Sequence, residues 1–183
     1  KNLNDKSKSF KFHQTPYVND LFYKISEFDF YKKKIPFKSV DFLIKRYENH
    51  PYFQYIVYEI TVNEILKGLI ITREIQYNNS QALRIVDVIA DSNEIGDVIN
   101  DFAYVINNSD YEYVDVYISG LNNEEVLINN YEKISNSSDI IVPNYFEPFE
   151  LKNIDIYYMS SNIEESIIYR GDGDQDRPSS KKR

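Results

Sequence analysis

The chain has 183 residues, of which 42% are hydrophobic and 15% aromatic, which is enough to bury the core of one domain. It contains no cysteine and only two histidines, which excludes disulfides, thiol catalysis, cysteine-bound zinc and a three-histidine metal site. No apolar run approaches the roughly 18 residues that cross a membrane and no signal peptide is visible, so the sequence predicts a cytoplasmic protein without a membrane partner.

The net charge of −8 is unevenly distributed along the chain. Residues 1–46 carry 11 Lys and Arg against 5 Asp and Glu, whereas residues 47–183 carry 10 against 24. Nucleic-acid binding requires clustered cations, and the acidic body therefore argues against a nucleic-acid partner. The basic N-terminal third is typical of lysines on solvated helix faces, with an anionic cofactor or substrate as the alternative. Because the first residue is Lys1 and the sole methionine is Met159, we expect the chain to be part of a longer protein.

The first third of the chain is expected to be helical. Lys1–Lys11 is polar and is expected to fray. Apolar residues at helical spacing predict a helix over Tyr17–Tyr31. Ser39 is a favourable N-cap for a second helix that extends to Tyr47.

Strand patterns begin at residue 55. Tyr55–Ile60 and Leu66–Glu74 are predicted to form a hairpin with a turn at Asn63-Glu64. The apolar run Leu83–Ala90 is typical of a central strand. A helical stripe from Ile95 to Asn108 follows.

Shorter elements are predicted around and after that helix. Asp91 and Glu94 have the spacing of a capping box at its start. The later elements are a strand over Tyr113–Ser119, a short helix over Glu124–Asn130, and strands over Ile140–Val142, Ile154–Met159 and Ser166–Tyr169. A strand–helix–strand unit implies parallel pairing, and the hairpins imply antiparallel pairing. The predicted fold class is therefore α/β of the α+β kind, with a central mixed sheet flanked by helices.

This order of elements resembles the GCN5-related N-acetyltransferase (GNAT) superfamily over about Tyr17–Met159. Four stretches resemble a branch of it found with bacterial surface-polysaccharide genes: RYENHPYFQYIVY at 46–58, ALRIVDVIAD at 82–91, VPNYFEPF at 142–149 and GDGDQDRP at 171–178. The resemblance implies a polar segment at 1–16, a GNAT-like acyltransferase domain at 17–160, and a C-terminal strand with a polar tail at 161–183.

The activity that the resemblance implies is acyl transfer, with acetyl-CoA or another acyl-CoA as donor. The acceptor would be an amino sugar or a nucleotide-linked sugar in surface-polysaccharide biosynthesis. The main chain of Val88, Ile89 and Ala90 would pair with the pantetheine arm, and Asn93 and Gly96 would lie near the pyrophosphate. This arrangement requires LRIVDVIA to diverge from YEYVDVYIS, so that a slot opens between the two strands.

An alternative is a catalytically inactive domain of the same fold that works as a sugar-binding or interaction module. The superfamily's pyrophosphate loop usually has the form Gln/Arg-x-x-Gly-x-Gly/Ala, but the matching stretch here is DSNEIGD at 91–97. Three carboxylates, Asp91, Glu94 and Asp97, lie at the positive end of the helix dipole and would repel a pyrophosphate.

Three residues are candidates for the general base that acyl transfer to an amine needs. Asp87 interrupts an apolar strand, so it is expected to be a base with a raised pKa, to be paired with Arg84 or Arg73, or to lie on a solvated face. Asp115 is expected to share the acceptor face with Tyr117. His50 is either a proton-transfer group or an ordinary loop residue.

Substrate-binding candidates lie in three places. Arg46 could hold a sugar phosphate or pair with Glu48, and Tyr117 lies beside Asp115 in the strand. The PNYFEPF stretch is predicted to be either a carbohydrate-binding loop or a rigid connection, and the tail is predicted to be either a polar loop at the acceptor groove or a solvated end. Their candidate residues are Asn144, Tyr145, Glu147, Asp174 and Arg177.

Two further patterns are interpreted against a catalytic role. Asp172, Asp174 and Asp176 have the spacing of the first ligands of a calcium loop, but Arg177 replaces the required glycine, so no metal is expected. Tyr131 is interpreted as a core aromatic, with a general acid as the alternative.

Overall fold

The computed structural model describes residues 9–77, 79–106, 109–121, 130–142, 153 and 155–173. Within these residues a five-stranded sheet has the order β1-β2-β3-β4-β5, and a separate two-stranded sheet pairs β6 with β7. The strands are β1 Lys11–Gln14, β2 Ile56–Val62, β3 Ile65–Tyr77, β4 Ser80–Ala90, β5 Tyr113–Val116, β6 Ile118–Ser119 and β7 Ile168–Tyr169.

Four α-helices accompany the strands: α1 Val18–Ser26, α2 Asp29–Lys33, α3 Val40–Leu43 and α4 Ile95–Ile106. A π-helical turn, Ile44–Glu48, continues α3, and a 3-10 turn, Arg170–Asp172, follows β7. The Ser39 hydroxyl accepts a hydrogen bond from Phe42 N at 3.1 Å, as expected of an N-cap.

The main sheet is mixed. Strands β1 to β4 pair antiparallel, and β4 pairs parallel with β5 through the crossover helix α4. The β2–β3 turn places both Asn63 and Glu64 at positive φ, 50° and 65°. This two-residue turn has the backbone twist that a tight hairpin prefers.

Helices cover both faces of the main sheet. One face packs against α1, α2 and α3 through residues such as Phe22, Leu43 and Leu69, all fully buried. The other face packs against α4 through Ile99 and Phe102. Strand β4 contributes to both cores, since apolar side chains on its two faces are 0% exposed. A strand buried on both faces reads as a continuous apolar run, which is why its sequence predicted a central position.

The predicted fold class is confirmed: the sheet is mixed and helices flank it. The hairpin, the central strand, the long helix after it and the parallel strand follow in the predicted order. The short strand at Ser166–Tyr169 is also present, as β7 with a bridge from Ser166 to Ile35.

Several boundaries were predicted wrongly. The first helix is two helices, because α1 ends at Ser26 and α2 begins at Asp29. The N-terminal segment contains β1, which was not predicted. No strand forms over the described parts of Ile140–Val142 and Ile154–Met159. Asp91 does not cap α4, which begins at Ile95. The predicted helix over Glu124–Asn130 lies almost wholly outside the described residues.

Candidate functional site

The parallel strands β4 and β5 pair over only four residues and then part. The register joins Ala82 with Tyr113 and ends where Ile85 meets Val116. Beyond Ile85 the chain of β4 continues to Ala90 without pairing to β5. The predicted end of the β4–β5 pairing is therefore present: the outer edge of β4 from Val86 to Ala90 no longer has β5 as its neighbour, and we call this break in the pairing the gap.

A β-bulge lies at the start of this gap. On the inner edge of β4, Ile71 pairs with Asp87 and Thr72 pairs with Ile85, so Val86 is an extra residue. Bulges bend a strand and redirect its side chains. This one places the carboxylate of Asp87 in contact with groups from the N-terminal helices.

The C-terminal segment of the described chain contacts both strands where they part. Ile168–Tyr169 pair antiparallel with Ile118–Ser119, which continue the line of β5. The following turn reaches β4, because a Cβ added to Gly171 would lie 3.1 Å from Val86 O and would overlap the Tyr47 hydroxyl. Only a residue without a side chain fits there without displacing its neighbours.

Asp87 is the centre of a buried ionic cluster. Its carboxylate is 0% exposed and receives three donors. Lys34 Nζ lies 3.2 Å from Oδ1, the Tyr47 hydroxyl donates to Oδ2 at 2.9 Å, and Lys38 Nζ also donates to Oδ2. Lys38 bridges in turn to Asp172 Oδ1 at 2.8 Å. We call Lys34, Lys38, Tyr47, Asp87 and Asp172 the Asp87 cluster.

The pKa values in the Asp87 cluster follow from these contacts. Burial alone would raise the pKa of Asp87, but Lys34, Lys38 and Tyr47 together lower it to about 2. Burial lowers the pKa of Lys34 to about 8, although Asp87 acts in the opposite direction. Burial, and then the charge of Asp87, raise the pKa of Asp172. Asp87 is therefore ionised at neutral pH, and of the three alternatives for this residue the base with a raised pKa is wrong. Its charged partners are Lys34 and Lys38, whereas the pairing alternative named Arg84 or Arg73.

A second buried ion pair lies on the β5 side of the gap. Arg84 Nε donates to Asp115 Oδ1 at 2.9 Å and to Oδ2 at 3.1 Å, and Arg84 Nη2 donates to Oδ2 at 2.7 Å. Arg170 Nη2 lies 3.6 Å from Asp115 Oδ1, and its guanidinium stacks on the Tyr117 ring at 3.5 Å. Arg170 thus contacts both Asp115 and Tyr117, but Asp115 is only 8% exposed and is held by two guanidinium groups.

His50 and Arg46 lie near the end of the second helical segment. His50 Nδ1 accepts hydrogen bonds from the main-chain N–H groups of Tyr52, at 3.2 Å, and Phe53, at 3.1 Å. Its ring stacks on Phe53 at 5.0 Å between centroids. These contacts are those of a loop residue that fixes a turn. Arg46 is half-buried in the π-helical turn.

The predicted cofactor-binding residues form a continuous path from β4 to α4. Val88 and Ile89 are 0% exposed and Ala90 is 6% exposed. The carbonyl oxygen of Val88 accepts a hydrogen bond from Lys34 Nζ. Asn93 is exposed, but its main-chain N–H donates to Asp91 Oδ1 at 3.0 Å, so this amide is already used within the loop. Gly96 is buried in the first turn of α4.

Five predicted substrate-binding residues cannot be placed. Asn144, Tyr145, Glu147, Asp174 and Arg177 lie outside the described residues, and their roles stay predictions.

Sequence reasoning missed most of the Asp87 cluster. The lysines of the N-terminal third were interpreted as residues of solvated helix faces, Tyr47 only as the end of a predicted helix, and Asp172 as part of the tail. One signal could have found them: a carboxylate within an apolar strand requires buried donors, and the basic N-terminal third was the available source of cations. Tyr131 packs against the core beside α4, as interpreted, and burial raises its pKa.

Among the described residues, no group of three or more His, Asp or Glu side chains could hold a metal ion. None of the described helices has the length and hydropathy required to cross a membrane.

The fold and site define a mixed α/β domain in which two parallel strands part around buried ion pairs. No family model matches the chain, and no curated protein matches it. Among solved structures it is similar to a GNAT family acetyltransferase from Staphylococcus aureus, with 14% identity, a TM-score of 0.44, and coverage of 69% of this chain and 97% of that one. The fold class follows from the order and pairing of the strands.

Proposed function

We propose that this chain is an acyl-CoA-dependent N-acyltransferase, most simply an acetyltransferase, that acts on an amino sugar or a nucleotide-linked sugar in surface-polysaccharide biosynthesis. One observation carries the proposal: β4 leaves its parallel neighbour after four residue pairs, so β5 does not pair with the main chain of Val86–Ala90. An extended, amide-bearing arm can pair as an added strand with a strand edge that its neighbouring strand has left.

The described residues fit an acyl-CoA arm in part. The edge of β4 runs past Ile85 over enough residues to pair with two pantetheine amides. Two of its carbonyl groups are covered in this conformation, Val86 O by Gly171 and Val88 O by Lys34. Bound acyl-CoA would supply an activated thioester carbonyl, and the chain's own part would be to orient that arm and exclude water from it.

The roles of the individual residues are part of the proposal. Asp115, Asp87 and His50 remain the candidate bases. Asp115, in β5, and Tyr117, directly after β5, both contact Arg170, which supports a role in positioning the acceptor. The ionised Asp87 between two lysines is better suited to organising the site than to accepting a proton, because its low pKa makes it a weak base.

Calorimetric titration with acetyl-CoA tests the proposal. We expect saturable binding by the folded chain, and competition by S-acetylpantetheine, which presents the arm without the nucleotide. A panel of amino sugars and nucleotide-linked amino sugars, assayed for release of free CoA thiol, would identify the acceptor. The absence of heat with millimolar acetyl-CoA, from protein with native circular dichroism, would overturn the proposal.

A second candidate function is a non-catalytic sugar-binding or interaction module. The observation that favours it is that the two buried carboxylates at the gap, Asp87 and Asp115, are each held by at least two cations. Carboxylates fixed in this way stabilise a scaffold without taking part in chemistry. A rise in melting temperature with nucleotide-linked sugars, and none with acetyl-CoA, would select this function.

A further inference from the structure

Two segments of the chain cover the outer edge of β4 where it borders the gap. One is Lys34–Lys38, between α2 and α3, and the other is the 3-10 turn Arg170–Asp172. We propose that these two segments, which we call the cover, close the slot against the acyl-CoA arm and must move outward before the arm binds. This inference rests on the proposed function and adds to it a closed state and its opening.

Lys34 occupies a position that an arm amide would need. Its ammonium donates to the carbonyl oxygen of Val88 and lies 3.2 Å from Asp87 Oδ1. The same ammonium lies over the Tyr169 ring at 4.8 Å from the centroid. A second donor cannot approach Val88 O along the same direction while Lys34 is there. Binding of the arm therefore requires Lys34 to withdraw.

The C-terminal turn occupies the neighbouring position. Gly171 packs against both Val86 O and the Tyr47 hydroxyl so closely that no Cβ would fit. Arg170 is 1% exposed, and its guanidinium stacks on Tyr117 across the gap. The turn thus spans from the β5 side to β4 and blocks the space through which an arm would lie.

The two segments are joined to each other at two points. Ile167 N donates to Ile35 O at 2.9 Å, which continues the bridge between Ile35 and Ser166. Lys38 Nζ lies between the carboxylates of Asp87 and Asp172. The Lys38–Asp172 ion pair is therefore the latch of the C-terminal half of the cover: it ties the turn Arg170–Asp172 to Lys38, which keeps its other partner, Asp87, when Asp172 is released.

The latch sets the apparent affinity for the arm. When the binding-competent state is only a fraction of all molecules, the apparent dissociation constant equals the intrinsic constant divided by that fraction. A variant that weakens the latch enlarges the open fraction and tightens binding. Loss of one charge-assisted hydrogen bond is expected to change that fraction roughly tenfold.

Asp172→Asn tests the latch, since it keeps the size of the side chain and removes its charge. The control is Asp155→Asn, the same substitution at an exposed position of the C-terminal segment. S-acetylpantetheine is titrated beside acetyl-CoA, because this neutral probe separates opening of the cover from attraction of an anion to the cluster. Gly171→Ala, which changes no charge, is a second variant that pushes the turn away from Val86.

We expect Asp172→Asn to bind both probes roughly tenfold more tightly than the wild-type chain. Gly171→Ala should also bind both probes more tightly, and Asp155→Asn should bind them as the wild type does. Hydrogen exchange at the Ile167 amide supplies a readout without ligand, and should be faster in Asp172→Asn. Equal affinities in the wild type and all three variants would refute the proposal that the cover closes the slot, and would leave the proposed function intact. If no protein binds either probe, the proposed function is wrong. If hydrogen exchange at Ile167 is unchanged in Asp172→Asn, the Lys38–Asp172 ion pair is not the latch.

Discussion

Replacing Asp87 by Asn tests the claim that the buried cluster holds the sheet to the N-terminal helices. The lowering of the Asp87 pKa from 3.8 to about 2 corresponds to about 2–3 kcal/mol of favourable interaction of the ionised form. The substitution also leaves Lys34 and Lys38 buried with Asp172 as the remaining carboxylate of the cluster, and breaking such a pair costs about 3–5 kcal/mol. We expect the free energy of unfolding to fall by about 3 kcal/mol.

Urea denaturation followed by circular dichroism measures this loss, with thermal unfolding beside it. A loss of that size would lower the melting temperature by about 6–12 °C in a chain of this length. The matched control is Asp110→Asn, an exposed carboxylate in a turn, which should stay within about 0.5 kcal/mol of the wild type. If Asp87→Asn unfolds at the same urea concentration as the control, the cluster does not stabilise the fold and the reasoning is wrong.

Three further outcomes are expected. The folded pKa of Asp87 lies below its unfolded value, so the stabilisation that its ionised form provides is complete above about pH 4 and is lost as the pH falls toward 2. The free energy of unfolding of the wild type should therefore drop more steeply over that range than that of Asp87→Asn. Parallel pH profiles of the two proteins in urea titrations would contradict this. Asp115→Asn removes the carboxylate that receives three hydrogen bonds from Arg84, and it should lower the free energy of unfolding by about 3–5 kcal/mol in urea denaturation. A variant that loses turnover but keeps its stability would assign Asp115 to chemistry alone. Gly68→Ala would force a Cβ against Ile89 O and should cost about 1–3 kcal/mol by thermal unfolding, and a variant as stable as the wild type would refute that crowding.

The sequence predicted those parts of the fold whose pattern is strong and local. The run Leu83–Ala90 is apolar on both faces because it lies between two helical layers, and the stripe after Ile95 has a single apolar face toward the sheet. Both patterns reflect burial directly, so periodicity was sufficient to place a central strand followed by a long helix.

The missed elements lack such a pattern. Strand β1 is short, mostly exposed and polar, so pairing with β2 decides its conformation, and the pairing partner lies far along the chain. Strands were predicted at 140–142 and 155–159, where β-branched and aromatic residues favour a strand, but the structure has no strand at these residues. These residues are mostly exposed, and strand propensity without a neighbouring strand does not produce one.

The candidate site was predicted in part for a similar reason. Asp87 is conspicuous in the sequence because a charge inside an apolar run demands a partner. Its partners are lysines, which are usually solvated, so composition gives no reason to bury Lys34 or Lys38. Only the folded arrangement shows that Lys34 and Lys38 are the lysines of the N-terminal third that reach Asp87.

The ion pair between Lys38 and Asp172 also has a consequence during synthesis on the ribosome. Lys38 emerges early and Asp172 very late, so the sheet can assemble while its interior strand edge at Val86–Ala90 still lacks its C-terminal covering. An uncovered apolar edge of this kind is a template for pairing with another chain. The nascent protein is therefore expected to be most prone to aggregation in the interval after β5 and before Arg170–Asp172 have left the exit tunnel.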